Sequence, residues 1–276
     1  MRVDSRTPRR SRGGTLLLWI LAVVITLGSA VWQRLSGPTY PVAGTVELSG
    51  EGVDVELTRT HGGEGDQPVQ ILATDPAIEG EVAWRRFPTA EPWRTIPLSR
   101  QEEWLVAALP HQPPAGKLEY QVRLRRDGEE AVFPPRPAVT RFKGAVPKGI
   151  LFPHIFAMFF GMLFANRAGL EALRRAGDPR RFAWIAFILI AAGGFILGPI
   201  VQKHAFDAFW TGFPFGYDLT DNKTLIAGIA WVWALWRMRG GRSARISVVV
   251  AALVTLVIFM IPHSTWGSEI DWEKIQ

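Results

Sequence analysis

TLLLWILAVVITLGSAVW, residues 15–32, is an apolar run long enough to cross a bilayer, and MRVDSRTPRRSRGG, residues 1–14, puts five arginines directly before it. A basic tail followed by such a run is a signal anchor or a signal peptide. Gly28 and Ala30 stand at the −3 and −1 spacing that signal peptidase reads, but the length of the run favours an uncleaved anchor. In either case the segment that follows is exported.

Four more apolar blocks lie downstream, at residues 149–166, 182–201, 224–236 and 246–262. With 15–33 they predict five transmembrane helices. The links between them alternate in charge. The tail 1–14, the link 167–181 (Arg167, Arg174, Arg175, Arg180, Arg181) and the link 237–245 (Arg237, Arg239, Arg242, Arg245) are rich in arginine. The segment 202–223 and the tail 263–276 carry acids instead: Asp207, Asp218, Asp221, Glu269, Asp271 and Glu273. The positive-inside rule then places the N-terminus in the cytoplasm and the C-terminus in the periplasm of a bacterial inner membrane. The fourth block is the shortest, and its Trp231, Trp233 and Trp236 suit an interface. In the third, Gly194 and Gly198 form a GxxxG pair, read as close packing within the chain.

Composition narrows the function classes. The net charge of +6 comes with arginines that flank apolar blocks, which points to membrane orientation and away from nucleic acid. The absence of cysteine removes disulfides, thiolate metal sites and covalent heme attachment.

Residues 38–145 read differently. TVELSG and VDVELTRT alternate apolar and polar side chains, as half-buried strands do. After the loop HGGEGDQP come VQILATD, EVAWRRF, WRTIPLS, WLVAALP, LEYQVRLRR and AVFPP. This spacing predicts an inserted all-β sandwich, with Trp84 buried mid-domain. Leu109-Pro110 followed by Tyr120, Val122 and Leu124 resembles the fibronectin type III arrangement, in which a late tyrosine ties down a corner. The expected fold is therefore a bundle of five transmembrane helices carrying an immunoglobulin- or fibronectin III-like sandwich. His61 and His111 fall in its loops and read as solvated.

Chemistry-bearing residues gather at the outer boundary. His154, His204 and His263 come from three different helix ends, all on the predicted periplasmic side. Imidazole near hydrocarbon needs a partner, and neutral imidazole is a common metal and heme ligand. The loop after His204 holds Phe206, Phe209, Trp210, Phe213, Phe215 and Tyr217, punctuated by Asp207, Asp218, Asp221 and Asn222. A metal site would draw on His154, His204, His263, Asp207, Asp221 and Glu269. A heme b site would draw on the same histidines with Trp210, Tyr217 and Asp218. The bland alternatives are interfacial histidines, an aromatic belt, and an acidic cap for the following helix.

The stretch 198–236 also resembles the tryptophan-rich heme-handling membrane proteins of cytochrome c maturation, which carry a WGxxWxWD loop between two spans. Phe206-Asp207-Ala208-Phe209-Trp210 stands for the first part and Tyr217-Asp218 for the final Trp-Asp. The resemblance implies heme ligation by the flanking His204 and His263. Phenylalanine replaces the leading tryptophan, aspartate replaces the glycine, and an insert separates Trp210 from Tyr217.

Two functions follow. One is a heme- or metal-handling membrane protein. The other is a non-catalytic scaffold or accessory subunit that contacts membrane lipid and holds a protein partner through the β domain. No catalytic triad, phosphate loop or HExxH is present, so no catalytic residues are assigned.

Overall fold

The structure is a computed structural model that describes residues 12–239, 244–263, 270 and 272. The chain forms two compact units: residues 1–33, 149–198 and 220–262 make a helical unit, and residues 34–148, 199–219 and 263–276 make a β unit.

The helical unit contains α1 (Arg12–Leu35), α2 (Lys148–Leu173) and α3 (Arg180–Ile190). A π-helical segment, Ala191–Leu197, joins α3 to α4 (Gly198–Phe206), so these read as one continuous helix. Then come α5 (Leu219–Arg237) and α6 (Arg245–Met260). Three of these helices, Gly14–Leu35, Lys148–Leu173 and Arg180–Phe206, are long and apolar enough to cross a membrane. That gives the chain a membrane location and overturns the expected five spans. The reason is length and charge. α6 has 16 residues and rises about 24 Å, short of a hydrocarbon core of about 30 Å. α5 has 19, but it opens with Asp221 and Lys223 and ends at Arg237, so its uncharged stretch is shorter still.

Small residues and buried polar bonds hold these helices together. A Cβ placed on Gly194 would stand 2.5 Å from the Thr224 methyl on α5, whereas one on Gly198 meets only the Gly193 carbonyl at 3.3 Å and His154 Cε1 at 3.8 Å. Gly194 is thus the packing member of the pair. Gly194→Leu is expected to cost about 1–3 kcal/mol by overpacking, and Gly198→Leu less, which detergent-titrated unfolding would resolve. Asn166 donates to Thr26 Oγ1 at 3.0 Å, the Trp231 indole to Thr255 Oγ1 at 2.9 Å, and Gln33 to the Phe259 carbonyl at 2.6 Å. In hydrocarbon such bonds act as interhelical glue.

The β unit does not form the expected sandwich. Its strands are β1 (Val42–Leu48), β2 (Glu51–Leu57), β3 (Thr60–Gly62), β4 (Gln67–Leu72), β5 (Glu79–Arg86), β6 (Arg94–Pro97), β7 (Ser99–Gln101), β8 (Trp104–Leu109), β9 (Lys117–Arg126) and β10 (Glu129–Lys143). They make three small sheets, ordered β1-β2, β3-β10-β9-β5-β6 and β4-β8-β7, in place of two facing ones. Local chemistry explains much of this. β1-β2 and β9-β10 turn on Ser49-Gly50 (φ 50° and 81°) and Asp127-Gly128 (φ 51° and 83°). Both turn residues lie at positive φ, as a two-residue type I′ hairpin requires. The β10 register then breaks between Phe133 and Ala138, where Pro134, Pro135 and Pro137 supply no N–H. β3 adds to β10 in parallel, an uncommon pairing for a small β domain.

One core unites the sheets. Val46, Leu48, Val53, Val55 and Leu57 alternate inward on the first hairpin and meet Ile71, Leu105, Leu109, Leu118, Tyr120, Val122 and Phe142. Trp84 is buried there, as its sequence position predicts. A buried polar chain crosses this core. The Tyr120 hydroxyl donates to the Thr58 carbonyl at 2.6 Å, Gln67 Nε2 donates to Thr58 Oγ1 at 2.9 Å, and Thr140 Oγ1 donates to Gln67 Oε1 at 2.7 Å. Burial, the largest influence, pushes the Tyr120 phenol well above its ordinary range, outweighing its hydrogen bonds to Thr58 and Gln67 and the nearby Arg59 charge.

Candidate functional site

His154 belongs to the helical unit, while His204 and His263 belong to the β unit. Among the described residues no three His, Cys, Asp or Glu side chains are arranged to hold a metal ion. Glu269 lies outside the described residues.

Several of the remaining candidates have local roles. Asp207 ends α4 in the left-handed region at φ 62°, its N–H bonded to the Lys203 carbonyl and its carboxylate 2.7 Å from Lys203 Nζ. It is a helix terminator of the αL type, and its charged bond to Lys203 holds its carboxyl below the usual range. Asp218 is buried, and its N–H donates to the Thr211 carbonyl at 3.0 Å. Asp221 is buried in the first turn of α5, where a negative charge suits the helix dipole. The Trp210 indole donates to the Phe213 carbonyl at 3.1 Å. Tyr217 is 92% exposed and His204 is exposed at the end of α4. The aromatic loop is therefore a closed, hydrogen-bonded turn with Phe209, Phe213, Phe215 and Tyr217 turned outward. His61 and His111 are not simply solvated: both place a ring nitrogen on the Gly65 carbonyl, at 3.2 and 2.9 Å, and both rings meet Phe142 edge-on.

Within the helical unit His154 is held in a defined pose. Its Nδ1 lies 2.9 Å from the Gly193 carbonyl, in the π-helical segment, and the Gly198 N–H bonds to the same oxygen. A π segment widens the helix locally, and such segments are frequent at functional sites.

The β unit also brings together residues that the sequence reading did not connect. At one end of its five-stranded sheet, Arg86 closes β5, Lys117 opens β9 and Arg141 lies on β10 opposite Lys117. Lys143 follows two residues later, and burial with the Arg141 and Arg34 charges holds its ammonium below the ordinary lysine range. Arg86 lies 3.4 Å from the Glu91 carboxylate, and Lys117 and Arg141 are buried. The Phe87 N–H bonds to the Lys117 carbonyl at 3.0 Å, and the Phe87 carbonyl takes the indole N–H of Trp272 at 3.2 Å. The Trp272 ring lies under the Arg86 guanidinium, 4.8 Å from its centroid. Two residues earlier, Ile270 Cδ1 sits 3.5 Å from where a Cβ of Gly116 would stand. Ile270 and Trp272 thus both lie against this end of the β unit. The sequence signal was the IDW pattern between acids. It had no visible target, because Arg86, Lys117 and Arg141 are far apart along the chain.

Comparison with known proteins finds no matching family model, no matching curated protein and no matching solved structure. Function is read from the site alone.

Proposed function

We propose that this chain is a membrane-anchored accessory protein of a bacterial inner membrane, whose β unit is a periplasmic docking module for a protein partner. The observation that supports this is the contact of Trp272 with the end of β5, where its indole N–H bonds to the Phe87 carbonyl and its ring lies under the Arg86 guanidinium. The helical unit supports the reading as an anchor, because much of its buried polar chemistry joins helix to helix. Arginines at 174, 175, 180 and 181 orient the chain with that link in the cytoplasm. The outward Phe209, Phe213, Phe215 and Tyr217 suit the lipid headgroup layer. Deleting residues 40–143 is expected to abolish copurification of a partner from mildly solubilised membranes. A full-length protein that stays alone at every solubilisation condition contradicts the reading.

A second reading, heme b or metal handling, is favoured by the His154 pose. A ligating histidine usually gives its other ring N–H to a carbonyl, and Gly193 offers that partner. The test is an absorption spectrum of detergent-purified protein from heme-replete cells. A Soret band with sharp reduced α and β bands, lost in His154→Ala, supports heme. A featureless spectrum with background metal content removes this reading.

A further inference from the structure

We infer that Arg34 and Lys143, with the ring of Tyr40 beside the guanidinium, form a phosphate-binding site for the headgroup of an anionic phospholipid. The inference goes beyond the docking reading and does not depend on it. Three observations carry it.

The first is unanswered charge. Arg34 lies in the last turn of α1, and Lys143 closes β10. The Arg141 and Arg34 charges both act on the partly buried Lys143, and among the described residues no carboxylate offsets them. Neither Arg34 nor Lys143 makes an ion pair or donates a side-chain hydrogen bond among the described residues. The Arg34 guanidinium has the Tyr40 ring instead, 5.6 Å from its centroid. Arg141 is buried over the Phe206 ring, so it adds to the field and offers no open donor. Like charges held near one another repel, and an anion bound beside them offsets that repulsion.

The second is position. α1 and α2 are both long and apolar enough to cross a membrane. Arg34 stands where the chain leaves α1, and the exposed Lys148 opens α2, again with no ion pair among the described residues. The chain flanking these two ends, residues 34–46 and 131–148, holds Arg34, Arg136, Arg141, Lys143 and Lys148 and no acid. Under the orientation proposed above, this is the face whose loops are ordinarily poor in Lys and Arg. Orientation therefore does not account for these cations. Anionic headgroups, which lie at the level of the helix ends, do.

The third is the chemistry of recognition. A guanidinium presents its N–H groups as a planar fork that matches two phosphate oxygens, and an ammonium adds a point charge. Arg34 and Lys143 supply one of each. Tyr40 is 42% exposed, and its ring restrains the guanidinium by a cation–π contact. Tyrosine also favours the headgroup layer, where its ring is apolar and its hydroxyl meets polar groups.

The test is native mass spectrometry of the full-length protein in neutral detergent, offered equal amounts of phosphatidylglycerol and phosphatidylcholine. Wild type is expected to retain phosphatidylglycerol preferentially. A cation near a headgroup contributes about fivefold, so Arg34→Gln, an exposed change, is expected to cut the preference about fivefold and R34Q/K143M about 25-fold. Arg136→Gln, an exposed change on the same strand β10, is expected to leave it intact. Lys143→Met keeps the packing of the lysine stem, so thermal unfolding separates binding from folding. Without lipid, Lys143→Met is expected to unfold at or above the wild-type temperature, because it removes a repelled cation. Phosphatidylglycerol is expected to raise the unfolding temperature of wild type but not of R34Q/K143M. Equal retention of the two lipids by wild type, or an equal preference in wild type and R34Q/K143M, overturns the inference. Lipid-free Lys143→Met that unfolds well below wild type overturns the charge argument and makes Lys143 a structural residue. Displacement of phosphatidylglycerol by equimolar inorganic phosphate overturns the lipid assignment in favour of a soluble anion.

Discussion

Glu171→Leu costs the helical unit about 3–5 kcal/mol, and adding Arg167→Met restores most of that loss. Arg167 is 1% exposed and its guanidinium lies 2.8 Å from the Glu171 carboxylate, one helical turn away. Its remaining surroundings are aromatic. The Trp19 ring centroid is 5.4 Å from its Cζ and that of Phe182 is 4.3 Å away. α1, α2 and α3 therefore meet around one buried cation. Nη1 is the atom that faces Glu171 Oε2, and Nε has no hydrogen-bond acceptor among the described residues, so the carboxylate is the principal compensation for this charge. Removing it leaves an uncompensated cation against two rings, and desolvation makes that state expensive. Replacing both partners with apolar residues removes the charge as well as its counterion. Detergent-titrated unfolding of the two variants, followed by tryptophan fluorescence, separates the outcomes. Equal stability of Glu171→Leu and wild type would show the pair to be solvated.

In the β unit, Tyr120→Ala is expected to cost about 3–5 kcal/mol, the range for emptying a core aromatic site. Tyr120→Phe keeps the ring and loses only the hydroxyl. Thr58 retains a donor from Gln67 Nε2 at 3.2 Å, so the loss falls to about 1 kcal/mol. The phenol adds a pH signature. Its folded value is raised by burial above the unfolded value of about 10. The unfolded chain thus releases this proton first as pH rises, and the folded state binds more protons. Stability is full below about pH 10 and falls above it, by at most about 1.4 kcal/mol per pH unit for this one group. Thermal unfolding at pH 8 and above pH 10 checks this. Wild type should lose more than Tyr120→Phe, and parallel losses would rule out Tyr120 as the group responsible.

Much of the architecture was legible along the chain because hydrophobicity and turn chemistry are local. The apolar blocks, the alternating strands and the burial of Trp84 all rest on short-range patterns. Span counting failed at α5 and α6, where an apolar block is not by itself a membrane length. Arg167 was read as a loop cation, but α2 runs on to Leu173 and folds it inward. Its partner Glu171 was visible at the i+4 position that a helix brings together.

The candidate sites divide the same way. Sequence alone determined that this chain has a membrane location, carries a β-rich domain between its first two apolar helices, and cannot use thiol chemistry. Those conclusions depend on composition and on period along the chain. Tertiary structure decided that the strands split into three sheets, that Asp207 terminates a helix, and that His154 sits against the Gly193 carbonyl. It alone brought Arg86, Lys117 and Arg141 to one end of the sheet and set Trp272 against Arg86. Strand register sets which distant residues become neighbours, and register is fixed by the packing of the whole core rather than by any one segment.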